Sequence, residues 1–241
     1  MSQTPTQDVA TALIERCARI ETVLRERHTI TQSHGLRAVT HDAVAAGDPG
    51  ATFYSEQLLA LAELHDVVLR SRTGNGAPVA PPLPETIARA DRLLQELEHP
   101  APARRFAASA LSRATSGEAL GPRLAEMRSR DFSQVPVYDA GVFAGLLTTN
   151  AVARWLADQL DERGDALIDD ARVRDVLPYA EEHEVAWFVP EGTPASRVVT
   201  ALLDQRPPLA VILTASGRDS DPPLGLLVAA DLPELLEALT V

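Results

Sequence analysis

The chain contains no lysine: all 22 of its basic residues are arginine. That uniformity reads as a bias toward GC-rich codons, and we infer no function from it. Positive charge is itself scarce. The 34 acidic residues leave a formal net charge of −12 and a pI near 4.9. A chain of that sign lacks the clustered cations with which a nucleic-acid backbone's counterions are displaced, so no nucleic-acid partner is expected. Divided at Pro102, the front half carries 9 arginines against 13 acids and the rear half 13 against 21, and neither is a basic module. Cysteine occurs once. Cys17 has no partner for an intramolecular disulfide, and its place in a helical pattern predicts a small buried hydrophobe rather than a nucleophile. No apolar run approaches the ~20 residues of a spanning helix. The opening Met-Ser-Gln-Thr-Pro-Thr-Gln-Asp has neither the basic region nor the apolar run of a signal peptide, so the expectation is a cytoplasmic protein without membrane contact. Nothing resembles a nucleophile with its base, a P-loop, a zinc spacing or a glycine-rich dinucleotide turn. The chain is therefore expected not to be an enzyme and to hold neither metal nor cofactor.

What the chain does have is 45% hydrophobic residues with only 4% aromatics, which suits an aliphatic core, and 241 residues, which suits two ordinary domains. In the front part, Val9, Leu13, Ile20, Val23 and Leu24 recur at helical spacing over Asp8 to Arg27. From His28 to Val44 the pattern is ambiguous: Leu36, Val39 and Val44 fit a second helix, while Thr29 to Gly35 fits a connection. Gly47-Asp-Pro-Gly is a break. Ser55 is placed to cap a helix reaching Ser71, whose broad face of leucines predicts the most buried helix of this domain. Thr73 to Pro84, rich in glycine and proline, predicts an extended loop, and Pro84-Glu85 opens a last helix to Glu98.

In the rear part the informative stretch is Phe132 to Val152. Gln134 to Tyr138 and Val142 to Leu147 are short strands joined by Asp139-Ala140-Gly141, a hairpin with turn chemistry at its tip. A helix pattern, Glu118 to Arg130, precedes it and another, Asn150 to Leu160, follows. Near the C-terminus the arrangement recurs. Thr193 to Gln205 reads as helix, Leu209 to Thr214 as strand, Ala215 to Asp221 as turn, and Pro223-Leu-Gly-Leu-Leu-Val-Ala-Ala-Asp-Leu as strand running into helix. The copies align on Gly145-Leu146-Leu147 and Gly225-Leu226-Leu227. Ala110 to Thr115 and Val185 to Pro190 are the expected lead strands, the second apolar on both faces and so buried or lining a cleft. Trp187 reads as core or interface more readily than as a base platform. Val173-Arg-Asp-Val-Leu-Pro is a short helix and stop, and the acidic Asp161 to Asp165 a solvated connection.

These residues, from about Ala103 to Val241, resemble the CBS domains named after cystathionine β-synthase, whose tandem pairs form Bateman modules. The resemblance implies an α+β protein: an all-helical domain over 1–99, then β-α-β-β-α units over 100–160 and 161–241. Leu59-Ala-Leu-Ala-Glu-Leu-His-Asp-Val-Val-Leu-Arg followed by Ala77-Pro-Val-Ala-Pro-Pro-Leu-Pro resembles the helical HEPN fold (higher eukaryotes and prokaryotes nucleotide-binding). Many of that family cleave RNA with an Arg followed a few residues later by a His. Here His65, Asp66 and Arg70 stand in inverted order, so the resemblance implies a non-catalytic version. A CBS-gated ribonuclease is the alternative.

The CBS resemblance also implies a ligand site. Its pattern is Gly-h-h-Ser/Thr-x-x-Asp, with the hydroxyl serving a phosphate and the carboxylate a ribose, at a helix N-terminus that favours anions. This chain divides the pattern. The first copy has Thr148 but Ala151 in place of the Asp; the second has Asp231 but Val228 in place of the Thr. The implied reading is a regulatory protein that senses an adenine nucleotide, whether AMP, ADP, ATP or cyclic di-AMP. Phe132, Ser133, Gln134 and Pro136 would hold the base in one site and Pro207, Pro208 and Leu209 in the other. Thr148, Thr149 and Asn150 would hold phosphate, and Asp231 ribose. A scaffold with empty sites is a further alternative. A homodimer through Leu120 to Arg130 and Pro194 to Gln205 is implied as well.

Overall fold

The computed structural model describes residues 5–71, 78–108, 111–160 and 170–241. Ala10, Leu13, Cys17, Ile20 and Leu24 fall three and four residues apart along α1 (Pro5–His28), and each is at most 2% exposed. That seam packs with Leu36, Val39 and Ala43 of α2 (Leu36–Ala45), Ala51 of α3 (Pro49–Phe53), Leu58 and Leu61 of α4 (Ser55–Arg70), and Leu93 and Leu97 of α5 (Pro84–Glu98) into one aliphatic core. Burial pushes the Cys17 thiol up to about 12, with Glu21 adding to the effect, so the thiol behaves as a small hydrophobe.

The ambiguous stretch after His28 resolves at Gly35, which takes φ 84 and precedes α2. The break at Gly47-Asp-Pro-Gly stands between α2 and α3: Gly47 takes φ 78, and Asp48 caps α3, accepting from the Ala51 amide at 2.7 Å. Two expectations are corrected. Ser55 is the first residue of α4 and not its cap; that position falls to Tyr54, whose carbonyl takes the Leu58 amide at 2.9 Å. Tyr54 is held there by burial, and its hydroxyl donates to the Leu239 carbonyl at 3.1 Å. Nor is α4 the most buried helix of this region, since Val67 and Leu69 stay 44% and 43% exposed while α1 buries its whole seam. Of the expected loop, residues 73–77 lie outside the described residues; Val79 donates to the Ser71 carbonyl at 2.9 Å.

The chain divides into two compact units. One comprises Met1–Ala101 with Pro194–Thr200 and Leu239–Val241; the other comprises Pro102–Thr193 and Ala201–Ala238. In the second unit, β1 (Gln134–Asp139) pairs antiparallel with β2 (Val142–Thr148). A second sheet has the order β3 (Ala186–Pro190), β4 (Ala210–Thr214), β5 (Pro223–Leu227), with β3 parallel and β5 antiparallel to β4. The registers of the two hairpins coincide. Val135, Pro136 and Val137 oppose Leu147, Leu146 and Gly145, and then the register slips before Tyr138. Val211, Ile212 and Leu213 oppose Leu227, Leu226 and Gly225, and the register slips before Thr214. The duplication seen in the sequence is thus reproduced in the pairing register, bulge included.

The aligned glycines serve different needs. Gly145 has φ 149, whereas a Cβ on Gly225 would stand 2.7 Å from that of Ala107. The lead strands differ too. In the second copy it is β3, in which Val189 is buried and Ala186, Trp187 and Phe188 are half-buried. In the first copy the expected strand is a single parallel bridge, Ala114 to Val137, among the described residues, which exclude Ala110.

Helices α6 (Leu120–Arg130) and α7 (Thr149–Gln159) flank the first hairpin, and Leu120, Met127, Val135, Val137, Leu147, Ala151 and Trp155 form its core. The short α8 (Val173–Val176), which the sequence pattern assigned to the second copy, sends Val173 and Val176 into this first core. The connection over 161–165 lies outside the described residues. Helix α9 (Ala195–Leu202) stops before Arg206-Pro-Pro, which cannot continue it, and α10 (Leu232–Ala238) follows β5.

Candidate functional site

Strand β2 delivers Thr148 to the N-terminus of α7, where a β-branched residue with a hydroxyl suits both the strand end and the cap. The side chain is buried. Its Oγ1 accepts from the Ala151 amide at 2.9 Å and donates to Glu184 Oε1 at 2.7 Å. The other Glu184 oxygen accepts from the Glu181 amide at 2.8 Å and is paired with Arg154 Nη2, while Arg154 Nε donates to the Tyr179 carbonyl at 2.8 Å. The Glu184 carboxylate is fully enclosed. Burial opposes its charge, yet the Glu181 amide, the Thr148 hydroxyl and Arg154 together hold it below the ordinary carboxylate range. The expected phosphate ligand Thr148 therefore already serves a carboxylate of the same chain.

The neighbouring expected groups divide. The Thr149 amide donates to the Ser133 carbonyl at 3.0 Å, and the Asn150 amide has no partner among the described residues. Both side chains are exposed, as is Ser133. Phe132, Ser133 and Thr149 line a cleft of about 370 Å³ with Leu124, Met127 and Val152. Pro136 is buried, and its carbonyl takes the Ala114 amide at 3.0 Å.

Gln134 joins the two predicted edges directly: its Nε2 donates to the Leu209 carbonyl at 3.0 Å. The Leu209 amide donates to Val185 at 3.0 Å, so both backbone groups of that residue are engaged. Pro207 is exposed and Pro208 half-buried beside it. At the second copy, Val228 leads into a 3₁₀ turn over Ala229–Asp231, and Asp231 Oδ2 accepts from the Val228 amide at 2.8 Å. Asp231 acts there as the returning member of a helix cap, with its other oxygen uncommitted among the described residues.

Glu184 and Arg154 were not singled out from the sequence. Glu184 lies 36 residues from Thr148 within an ordinary acidic run, and no local pattern pairs the two. A carboxylate from another part of the chain thus stands beside Thr148, with both of its oxygens already engaged.

In the first unit, His65 Nδ1 stands 3.7 Å from Asp66, and Arg70 stands 3.5 Å from the same carboxylate. They line a groove of about 400 Å³ with His34, Arg37 and His41. Among the described residues no group of three or more His, Cys, Asp and Glu could hold a metal ion, and no helix is long and apolar enough to cross a membrane.

No protein-family model matches the chain, and no curated protein matches it. Solved structures do show likeness, and those similar to the C-terminal part are CBS-domain pairs. The CBS domain pair of protein MJ0100, in complex with 5′-methylthioadenosine and S-adenosyl-L-methionine, is 13% identical and covers 58% of this chain and 99% of its own, with a TM-score of 0.44. A CBS domain-containing protein of unknown function from Kribbella flavida is 18% identical over 57% of this chain and 99% of its own, at 0.45. The CBS domain of a bacterial CNNM/CorC family Mg²⁺ transporter in complex with ATP is 21% identical over 64% and 98%, at 0.43.

Proposed function

We propose that the second unit is a CBS pair that senses an adenine-containing ligand, and that the protein is regulatory rather than catalytic. The observation that carries this reading is the coincidence of the two hairpin registers, bulge for bulge, with the predicted edges tied together by Gln134 and Leu209. Two equivalent strand-to-helix corners are thereby present in one unit, one ending in Thr148 and the other in Val228 and Asp231.

The two corners are chemically unequal. At the first, the base lies along Phe132 to Gln134, and phosphate meets the Asn150 amide and the Thr149 hydroxyl beside the Glu184 carboxylate. At the second, the base lies by Pro207 and Pro208, and the free oxygen of Asp231 accepts from ribose. Glu184 disfavours added negative charge, so the ligand is one with few phosphates, AMP ahead of ADP and ATP, with cyclic di-AMP the bulkier alternative. Affinity is in the micromolar range. The related structures bind 5′-methylthioadenosine, S-adenosyl-L-methionine and ATP, which belong to the same chemical class.

Calorimetry with AMP, ADP, ATP and cyclic di-AMP tests the reading. Asp231→Ala should weaken AMP by about threefold to tenfold, the loss of one hydrogen bond of roughly 0.5–1.5 kcal/mol. Absence of heat for all four nucleotides at millimolar concentration overturns it in favour of a scaffold with empty sites. The same reading carries a homodimer, which light scattering tests. It also carries a helical unit that leaves RNA intact, since Asp66 engages both His65 and Arg70; a cleavage assay tests that.

A further inference from the structure

The helical unit is not built from the front of the chain alone. Leu239–Val241 belongs to it, and so does Pro194–Thr200. Leu239 is 2% exposed, its carbonyl accepts the buried Tyr54 hydroxyl at 3.1 Å, and Val241 packs against the helical core. Tyr54 also precedes α4 and supplies the carbonyl that takes the Leu58 amide at 2.9 Å. Burial, with Glu96 adding, raises the Tyr54 hydroxyl above the ordinary tyrosine value, so it stays a donor. Withdrawing Leu239 leaves that donor unpaired inside the core and loosens the start of α4. The position of residue 239 and the order of α4 are therefore tied.

The same segment starts at the second corner. Asp231 closes its turn by accepting from the Val228 amide at 2.8 Å, α10 follows at once, and Leu239 comes directly after Ala238. A helix of that length is about 10 Å long, well short of the roughly 12–15 residues at which an isolated helix holds itself together. Helix α10 thus depends on its buried Leu235 and on its two ends, and a change at either end is felt along the whole of it. The expected base-lining Pro207 and Pro208 follow α9, which begins within Pro194–Thr200 of the helical unit, where the Ala195 amide donates to the Ala101 carbonyl at 2.8 Å. By contrast α7, which follows Thr148, and α8 lie wholly in the other unit.

We propose that the second corner, and not the first, is coupled to the helical unit through α10, with the Tyr54–Leu239 hydrogen bond as the joint. Its meaning as regulation rests on the sensing reading above; the coupling itself does not. Hydrogen exchange of the full chain without ligand tests it. Tyr54→Phe, which keeps the ring, should speed exchange of the Val228 amide about threefold to tenfold, and Asp231→Ala should speed the Leu58 amide by a like factor. Asp175, which accepts from the Arg172 amide at 2.8 Å, is the matching cap in the first copy, and Asp175→Ala should leave the Leu58 amide unchanged. AMP should slow the Leu58 amide of the wild type about fivefold or more, and Asp231→Ala should abolish that slowing. The proposal is overturned if Tyr54→Phe leaves the Val228 amide unchanged, if Asp231→Ala leaves the Leu58 amide unchanged, or if Asp175→Ala speeds Leu58 equally. It is also overturned if AMP gives heat that Asp231→Ala weakens while the Leu58 amide does not respond. Absence of AMP heat overturns the sensing reading instead, and the ligand-free comparisons then decide the coupling by themselves.

Discussion

Replacing Asp48 with alanine is expected to destabilise the helical unit by about 3–5 kcal/mol, a large share of the roughly 5–15 kcal/mol by which a domain is stable. Asp48 is fully enclosed at the start of α3. It accepts from the Ala51 amide at 2.7 Å, from Arg27 Nη1 at 2.8 Å, and lies 2.8 Å from His28 Nε2. Arg27 also donates through Nη2 to the Leu97 carbonyl, so one carboxylate orients the groups that join the ends of α1, α3 and α5. Alanine removes the cap and leaves Arg27 without its counter-charge; asparagine keeps the cap alone and should cost less. Burial works against the charge of Asp48, but the Ala51 amide, His28 and Arg27 hold its carboxyl below the ordinary aspartate value. A depressed folded value means the contribution is complete above the unfolded pKa of about 3.9 and is lost as pH falls through the folded value. Urea unfolding followed by helical circular dichroism should therefore show a steeper acid loss below about pH 4 in the wild type than in Asp48→Asn. A penalty under about 1 kcal/mol for Asp48→Ala would mean that the ion cluster contributes only as a surface pair does.

The second large effect concerns Glu184. Its removal by Glu184→Ala should tighten AMP binding about tenfold or more. The change takes a negative charge from the corner, frees the Thr148 hydroxyl and leaves Arg154 to pair with phosphate; charge-assisted bonds contribute about 1.5–3 kcal/mol each, and 1.4 kcal/mol is tenfold. Adenosine, with no phosphate, should bind the variant and the wild type alike. Glu184→Gln keeps the volume and the acceptor for Thr148 while removing the charge, and should lie between the two. An unchanged AMP affinity in Glu184→Ala would show that no phosphate approaches the Thr148 corner, and the first of the two sites would then be withdrawn. The second, at Asp231, would stand on its own titration.

Much of the architecture was legible in residue order because it is local. The seam of α1 and the helix from Pro84 to Glu98 follow from period and from proline at a first helical position. The hairpin tip follows from Asp139-Ala140-Gly141, in which Ala140 and Gly141 take φ 50 and 86. The duplication followed from Gly-Leu-Leu appearing twice at matching places, since the same backbone path asks for the same residue types. The corner residues Thr148 and Asp231 could also be named, because a strand feeding a helix N-terminus restricts what stands there.

Tertiary structure decided which of these groups are free. Thr148 reads as a phosphate ligand until Glu184 arrives from 36 residues away. Asp231 reads as a ribose acceptor until one of its oxygens takes the Val228 amide. Ser55 has the chemistry of a cap, yet the burial of Tyr54 against Leu239 shifts the start of α4 by one residue. The assignment of Pro194–Thr200 and Leu239–Val241 to the unit that begins the chain likewise has no local signature. Period, turn chemistry and capping are fixed by dihedral preferences within a few residues. The partners of a polar group depend on which distant segments the folded chain brings beside it, and residue order alone carries no record of that.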